Sequence, residues 1–303
     1  MTTMTTAERR GYHQICDASG AMMVIACDQR GGMRTVLAST PEEQAKISNT
    51  MLGETKADIT LYLASKAGCV LVDPVCAVPG LIDDGILPRD TALLIGIDAS
   101  GWETSSEGYR ISKMVDGINA RKVRELGATG GKIMVYLRMD TPAANVRNLE
   151  TLKASIEDFA REDLLLVVEF LTYQLEGESK EDYEAIFPSL IVEGSRACLE
   201  LGSKVLKIPY PGSEQACADV TGIAGGVPWA VLSAGVDHQT FLPQVEAAMK
   251  NGASGVIAGR SLWKDCISLD RGVSREKLST VAVSRLNDIQ TIIRRYRAQK
   301  AVA

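Results

Sequence analysis

Four charged residues interrupt or end runs that are otherwise apolar: Asp28 closes Met22–Asp28, Lys132 opens Lys132–Tyr136, Glu169 closes Leu164–Glu169, and Lys207 lies inside Val205–Pro209. Side chains on a β-strand alternate between its two faces. If Leu206 and Ile208 face covering helices, Lys207 points the other way with Val205 and Pro209. The same parity groups Lys132 with Met134 and Tyr136, and sets Glu169 opposite Val168. Lysine is almost never buried unless it is paired or functional. Kept from water beside another cation, it loses part of its preference for the ammonium form and becomes a nucleophile. Its attack on a ketone gives a carbinolamine and then an iminium, whose nitrogen accepts the electron pair released when the adjacent carbon–carbon bond breaks. That step needs a base for a hydroxyl proton and an acid for the carbinolamine, work suited to Glu169, Asp28 and Tyr136. A strand-end lysine can instead snorkel to a rim and pair with a carboxylate there. For any one of these residues the two readings stand level; for all of them together, on different strands, the chemical one is stronger.

The elements that would position these residues follow a simple alternation. Apolar runs recur at Met22–Asp28, Cys69–Asp73, Ala92–Ile97, Lys132–Tyr136, Leu164–Glu169, Val205–Pro209, Trp229–Ser233 and Gly255–Ala258. Between them lie segments with helical periodicity: Pro41–Ala67, Ser112–Leu126, Asn145–Arg161, Tyr183–Leu201, Thr240–Asn251 and Arg275–Lys300. Strands alternating with helices make a parallel sheet, and eight of them suggest a closed (β/α)₈ TIM barrel, with a doubly wound open sheet as the alternative. The 303 residues, 46% hydrophobic, are expected to form one domain over 1–303, with an N-terminal helical extension and a C-terminal helix.

In such a barrel the chemistry gathers at the carboxyl ends of the strands, and the loops after the last two commonly hold a phosphate through backbone N–H groups. Ser233-Ala234-Gly235 follows the seventh run and Gly259-Arg260 the eighth, where Arg260 adds a forked, charged donor. An ordinary turn with a solvated arginine is the plain alternative. No metal is expected, because His13 and His238 are the only histidines and three imidazoles cannot be assembled. The seven cysteines are odd in number, scattered and without a CxxC pair, which suits reduced packing residues. The 33 basic and 38 acidic residues form no basic block that could follow a nucleic acid. No apolar run reaches the roughly 18 residues of a membrane span, and a cytoplasmic location is expected.

From about Ala21 to Trp263 the chain resembles the tagatose 1,6-bisphosphate aldolase family of class I aldolases, which includes sulfofructosephosphate aldolase. The resemblance is carried by Cys27-Asp28-Gln29-Arg30-Gly31, Leu71-Val72-Asp73-Pro74, Lys132-Ile133-Met134-Val135-Tyr136, Val168-Glu169-Phe170-Leu171-Thr172-Tyr173, Val205-Leu206-Lys207-Ile208-Pro209, Leu232-Ser233-Ala234-Gly235-Val236 and Ala258-Gly259-Arg260-Ser261-Leu262-Trp263, in that order and spacing. It implies a TIM barrel in which Lys207 matches the Schiff-base lysine and Glu169 the acid/base carboxylate. Asp28 and Lys132 match supporting polar residues. Gln29 and Arg30 match a segment that touches substrate, and Ser233, Gly235 and Arg260 match the anion-binding loops. It also implies a homo-oligomer with a phosphorylated sugar as substrate and no cofactor beyond the lysine. The chain departs from the family at Ile208-Pro209-Tyr210, where a Glu is missing, and in Asp98–Glu103 after the third run, both at the mouth. Three activities are therefore expected in order: cleavage of tagatose 1,6-bisphosphate to dihydroxyacetone phosphate and a three-carbon aldehyde, cleavage of 6-deoxy-6-sulfofructose 1-phosphate by the same chemistry, and non-catalytic phosphosugar sensing.

Overall fold

A computed structural model describes residues 3–302 and the side chains of residues 3–298, so residues 1, 2 and 303 of the expected domain lie outside it. Its strands are β1 (Met22–Ala26), β2 (Cys69–Val72), β3 (Ala92–Gly96), β4 (Asp98–Thr104), β5 (Arg110–Met114), β6 (Gly130–Tyr136), β7 (Leu165–Leu171), β8 (Leu206–Pro209), β9 (Trp229–Leu232) and β10 (Gly255–Ala258). Eight of them close a parallel barrel in the order β1-β2-β3-β6-β7-β8-β9-β10, with β10 pairing back onto β1. The open-sheet alternative is thereby set aside. The remaining two, β4 and β5, form a separate antiparallel hairpin.

Alternate residues of each strand pack into different shells. Met22, Val24, Leu71, Leu94, Val167, Val205 and Ile257 fill the barrel interior, while Met23, Ile25, Val70, Ile95, Val168, Leu206 and Ile208 pack outward against the helices. Burial on both faces is why these strands read as continuous apolar runs. It also fixes the register: sliding β8 by one residue would send Lys207 among the outer apolar side chains and forfeit about 2 kcal/mol for each large apolar side chain misplaced. The amino end of the barrel is covered by helix Thr6–Gln14, whose capping box joins Thr5 to Glu8 and whose Gly11 lies against Leu165 and Thr129. Lys204 reinforces this plug, its Nζ donating to Glu8 Oε1 at 2.6 Å. The carboxyl end is left as the open mouth.

Three of the expected helices differ from those observed. Ser112–Leu126 is not one helix: residues 112–114 belong to β5, Gly117 turns the chain at φ 71°, and only Ala120–Glu125 is helical. The Asp116-Gly117 pair is a turn signal that outweighs the helical periodicity around it. Pro41–Ala67 breaks at Ile47, and the second helix, Asn49–Leu63, starts afresh on a Ser48 cap. The C-terminal segment begins earlier, at Arg271, and passes through a π turn at Leu278–Ala282 before Val283–Val302. All seven cysteines are free, and no helix among the described residues is long and apolar enough to cross a membrane.

Candidate active site

The barrel register brings Lys207 on β8 directly beside Glu169 on β7. Both are nearly sealed from solvent, at 4% and 6% exposure, and Lys207 Nζ donates to Glu169 Oε2 at 2.8 Å. Lys132, 2% exposed, enters one layer lower on β6, where it is level with Val167. Its long side chain rises so that Nζ lies 2.7 Å from Asp28, 2.6 Å from Asp98 and 3.3 Å from Glu169. Two ammonium groups therefore share three carboxylates. Such a group of buried charges is tolerable because nearly every charge has an opposite neighbour.

The charges do not share the cost of burial evenly. Desolvation disfavours the ammonium of Lys132, but its three carboxylate neighbours outweigh this and drive its pKa well above the ordinary lysine value. Burial would raise the Asp28 carboxyl, yet Lys132 and then Lys207 hold it below the usual carboxylate range. Asp98 goes the other way: burial, together with the neighbouring Asp28 and Glu169, lifts it despite Lys132. Lys132 is thus a fixed cation, and Asp98 takes a proton more readily than an ordinary aspartate. Asp28 keeps Oδ1 buried without a hydrogen-bond partner, as does Gln29 with Oε1. Buried acceptors are normally satisfied, so this pair offers sites for a ligand hydroxyl or amine. Gly96 lies directly beneath Asp28, where a Cβ would sit in van der Waals contact with its side chain at 3.4 Å.

Two lobes open from Lys207 and Glu169. One, about 310 Å³, runs between Arg110 and Tyr136 on one side and Ser233, Ala234, Gly235, Gly259 and Arg260 on the other. The second, about 220 Å³, is bounded by Asp28, Gln29, Arg30, Asp98 and Lys132. The structure therefore brings every sequence-predicted residue to one mouth. A roomier cleft of about 740 Å³ lies at the amino end beside His13 and Arg89, and neither Lys132 nor Lys207 lines it. Past β9, Ala234 at φ 47° and Gly235 at φ 85° are consecutive left-handed residues. Such strain in a non-glycine residue collects where a ligand is held. Gly235 also packs closely on Arg260: a Cβ there would come within 2.9 Å of the guanidinium and displace that side chain. Neither histidine joins the cluster: His13 ends the N-terminal helix, and His238 begins another, with its ring nitrogen 3.1 Å from Asp288.

The residues that sequence reasoning missed come from the hairpin and from the end of β3. Asp98 follows Leu94 and Gly96 in the inward parity, and the rule that found Lys207 would have found it. Arg110 and Trp102 gave no such signal, because the course of the hairpin depends on tertiary pinning; Tyr173, two residues past β7, joins them through its ring contact with Tyr136 and its hydroxyl on Arg110 N. Asn148 supplies that pinning: its Oδ1 accepts from Ser112 N at 2.8 Å, and its Nδ2 donates to the carbonyls of Arg110 at 2.8 Å and Tyr136 at 2.7 Å.

A parallel barrel whose mouth sets a buried lysine against a carboxylate, with a left-handed, arginine-backed loop lining the same cavity, has the architecture of a barrel aldolase. The chain belongs to the DeoC/LacD family of aldolases, whose model matches residues 22–265. It is similar to the tagatose 1,6-diphosphate aldolase of Streptococcus agalactiae serotype V, at 23% identity over 96% of this chain and 97% of that protein. The tagatose 1,6-diphosphate aldolase of Lactococcus lactis subsp. lactis is 22% identical over 96% of each. Among solved structures, an archaeal fructose-1,6-bisphosphate aldolase with its catalytic lysine covalently bound to a carbinolamine shares the fold at a TM-score of 0.63 and 18% identity, covering 94% of this chain and 98% of that one. The fructose-bisphosphate aldolase of Slackia heliotrinireducens does so at 0.65 and 16%, over 98% and 92%.

Proposed function

We propose that this aldolase is of the Schiff-base type, that Lys207 is its nucleophile, and that it reversibly cleaves tagatose 1,6-bisphosphate to dihydroxyacetone phosphate and glyceraldehyde 3-phosphate. The observation that carries the reading is the 2.8 Å contact between the nearly buried side chains of Lys207 and Glu169 at the floor of the mouth.

Glu169 takes a proton from the Lys207 ammonium, and the freed amine attacks the C2 carbonyl. Glu169 returns that proton to the carbinolamine hydroxyl, which departs as water and leaves an iminium. The carboxylate then accepts the C4 hydroxyl proton while the C3–C4 bond breaks. The bonding electrons pass into the iminium to give an enamine, and the aldehyde leaves. Protonation of the enamine at C3 by Glu169, followed by addition of water to the renewed iminium, releases dihydroxyacetone phosphate and restores the amine. One carboxylate so placed serves every proton transfer. Lys132 keeps its charge throughout and holds Asp28, Asp98 and Glu169 in position, while Asp28 and Gln29 present their unpaired oxygens to substrate hydroxyls. Ser233, Ala234, Gly235, Gly259 and Arg260 receive the C1 phosphate, with Arg30 and Tyr136 lining the rest of the mouth.

Borohydride reduction in the presence of dihydroxyacetone phosphate tests this directly. The wild-type protein should gain a stable adduct on Lys207, mapped by peptide mass, and Lys207→Met should gain none; an adduct that persists in the variant refutes the assignment. Failure to release triose phosphate from any ketose bisphosphate would favour the sensor reading.

A further inference from the structure

Arg110 carries a positive charge that no carboxylate answers. Its guanidinium carbon lies 3.9 Å from the ring centre of Trp102, 4.9 Å from that of Tyr173 and 5.3 Å from that of Tyr136. It takes part in no ion pair among the described residues. Aromatic faces hold a guanidinium in place without neutralising it. The backbone beneath is equally fixed, with Arg110 N donating to the Tyr173 hydroxyl at 3.2 Å and its carbonyl taken by Asn148. The result is a preorganised, half-buried cation facing the lobe that contains Lys207.

Topology says what this cation faces. Tyr136, on which Arg110 rests, ends β6, the fourth strand around the barrel, whereas Arg260 follows β10, the eighth. In a closed ring of eight the fourth and eighth strands lie opposite one another, and β8 with Lys207 stands between them. Both arginines bound the same cavity of about 310 Å³. A ketose joined to Lys207 through C2, with its C1 anion on the β9 and β10 loops, must send its other end across the mouth toward Arg110. Arg30 is the rival cation, but its Nη2 is already committed to the Asp98 carbonyl at 2.9 Å.

We propose that Arg110 is the specificity residue for a second tetrahedral oxyanion, a phosphate or sulfonate carried at C6 of the substrate. The inference rests on the aldolase reading above and adds the orientation of the substrate: C1 toward β10, C6 toward β6 and the hairpin. A forked, charged donor meeting such an anion accounts for a tenfold to hundredfold preference.

The test compares kcat/KM on tagatose 1,6-bisphosphate, 6-deoxy-6-sulfofructose 1-phosphate and tagatose 1-phosphate for wild type, Arg110→Met and Arg110→Lys. Arg110→Met should lose about 100-fold on whichever ketose with anionic groups at both C1 and C6 the wild type prefers, and at least tenfold less on the 1-phosphate. Arg110→Lys should fall between. Inhibition by glyceraldehyde 3-phosphate should weaken in Arg110→Met more than inhibition by dihydroxyacetone phosphate. Equal losses on all three substrates in both variants would make Arg110 a mere support for Tyr136, and no loss at all would leave the C6 anion elsewhere; either overturns the assignment. If wild type shows borohydride trapping but these variants give such results, only the Arg110 assignment fails. If wild type neither traps nor cleaves, the aldolase reading fails and this inference goes with it.

Discussion

Replacing Lys132 by Met keeps most of the side-chain volume but leaves Asp28, Asp98 and Glu169 facing the single ammonium of Lys207. At the observed separations of 2.6, 2.7 and 3.3 Å, Coulomb's law with an effective dielectric near 20 gives each contact roughly 5 to 6 kcal/mol gross. Removal of the positive end also removes the desolvation cost of Lys132 itself, so the net loss is smaller. Breaking a buried charge group typically costs about 3 to 5 kcal/mol, and the melting temperature should fall by about 10 °C. The variant also has a distinctive pH signature. In the wild type the depressed Asp28 carboxyl contributes stability that is present above the ordinary carboxylate pKa and lost as pH falls through and below it. Without Lys132, the largest force restraining that carboxyl disappears and burial pushes it upward, so this gain between about pH 3 and 5 should vanish. Urea unfolding of both proteins from pH 3.5 to 8, followed by circular dichroism, measures it. A variant within about 1 kcal/mol of wild type, or one that keeps the wild-type rise in stability across the acid range, would refute the charge account of the cluster.

Asp98→Asn should behave in the opposite sense. A carboxyl whose folded pKa is raised stabilises most below its unfolded value and loses that contribution as pH rises through the folded one; since Asn cannot ionise, the melting temperature of the variant relative to wild type should increase from pH 4 to pH 7, and a constant difference would refute it. Lys56→Met should cost about 3 to 5 kcal/mol in urea unfolding, because it strands the buried Asp73 carboxylate. The surviving folded enzyme should keep its KM for ketose bisphosphate, so a large KM change would show that this pair belongs to the site.

The barrel was legible because two rules acted together on short segments. Continuous apolar runs located the strands, and period-two parity within those runs sorted Lys132, Glu169 and Lys207 inward, as the two packing shells now show. Legibility ended where local pattern and tertiary contact disagree. Residues 98–114 carry polar side chains and expose most of β4, so neither periodicity nor burial marks them as strands. Their course is settled instead by Asn148, some 36 residues from Ser112 in sequence. Arg110 could not be placed at the mouth from sequence because what puts it there is a hydrogen bond from the helix Val146–Arg161, beyond β6, and three rings from three different segments.

The barrel holds a second buried lysine–carboxylate pair, and the contrast between the two shows why only one is read as reactive. Lys56, from helix Asn49–Leu63, meets Asp73 just past β2 in complete burial. The other Asp73 oxygen accepts from Val75 N at 2.9 Å and Cys76 N at 2.7 Å. Both oxygens are thus engaged, and the pair ties the β2 loop to its helix. It borders neither lobe of the mouth. Around Lys207 the pattern is reversed. The carboxylates outnumber the ammonium groups, Asp28 retains an unpartnered buried oxygen, and both lysines reach a cavity large enough for a sugar phosphate. A charge cluster that satisfies itself has nothing to gain from a ligand, whereas one left with an excess acceptor and an open wall lowers its free energy by taking up a proton or a substrate hydroxyl. Residue type alone does not separate these two clusters, since each is a lysine beside an aspartate or glutamate at a strand end. The difference lies in which polar atoms remain unanswered once the barrel has closed, and that distinction assigns chemistry to position 207 and structure to position 56.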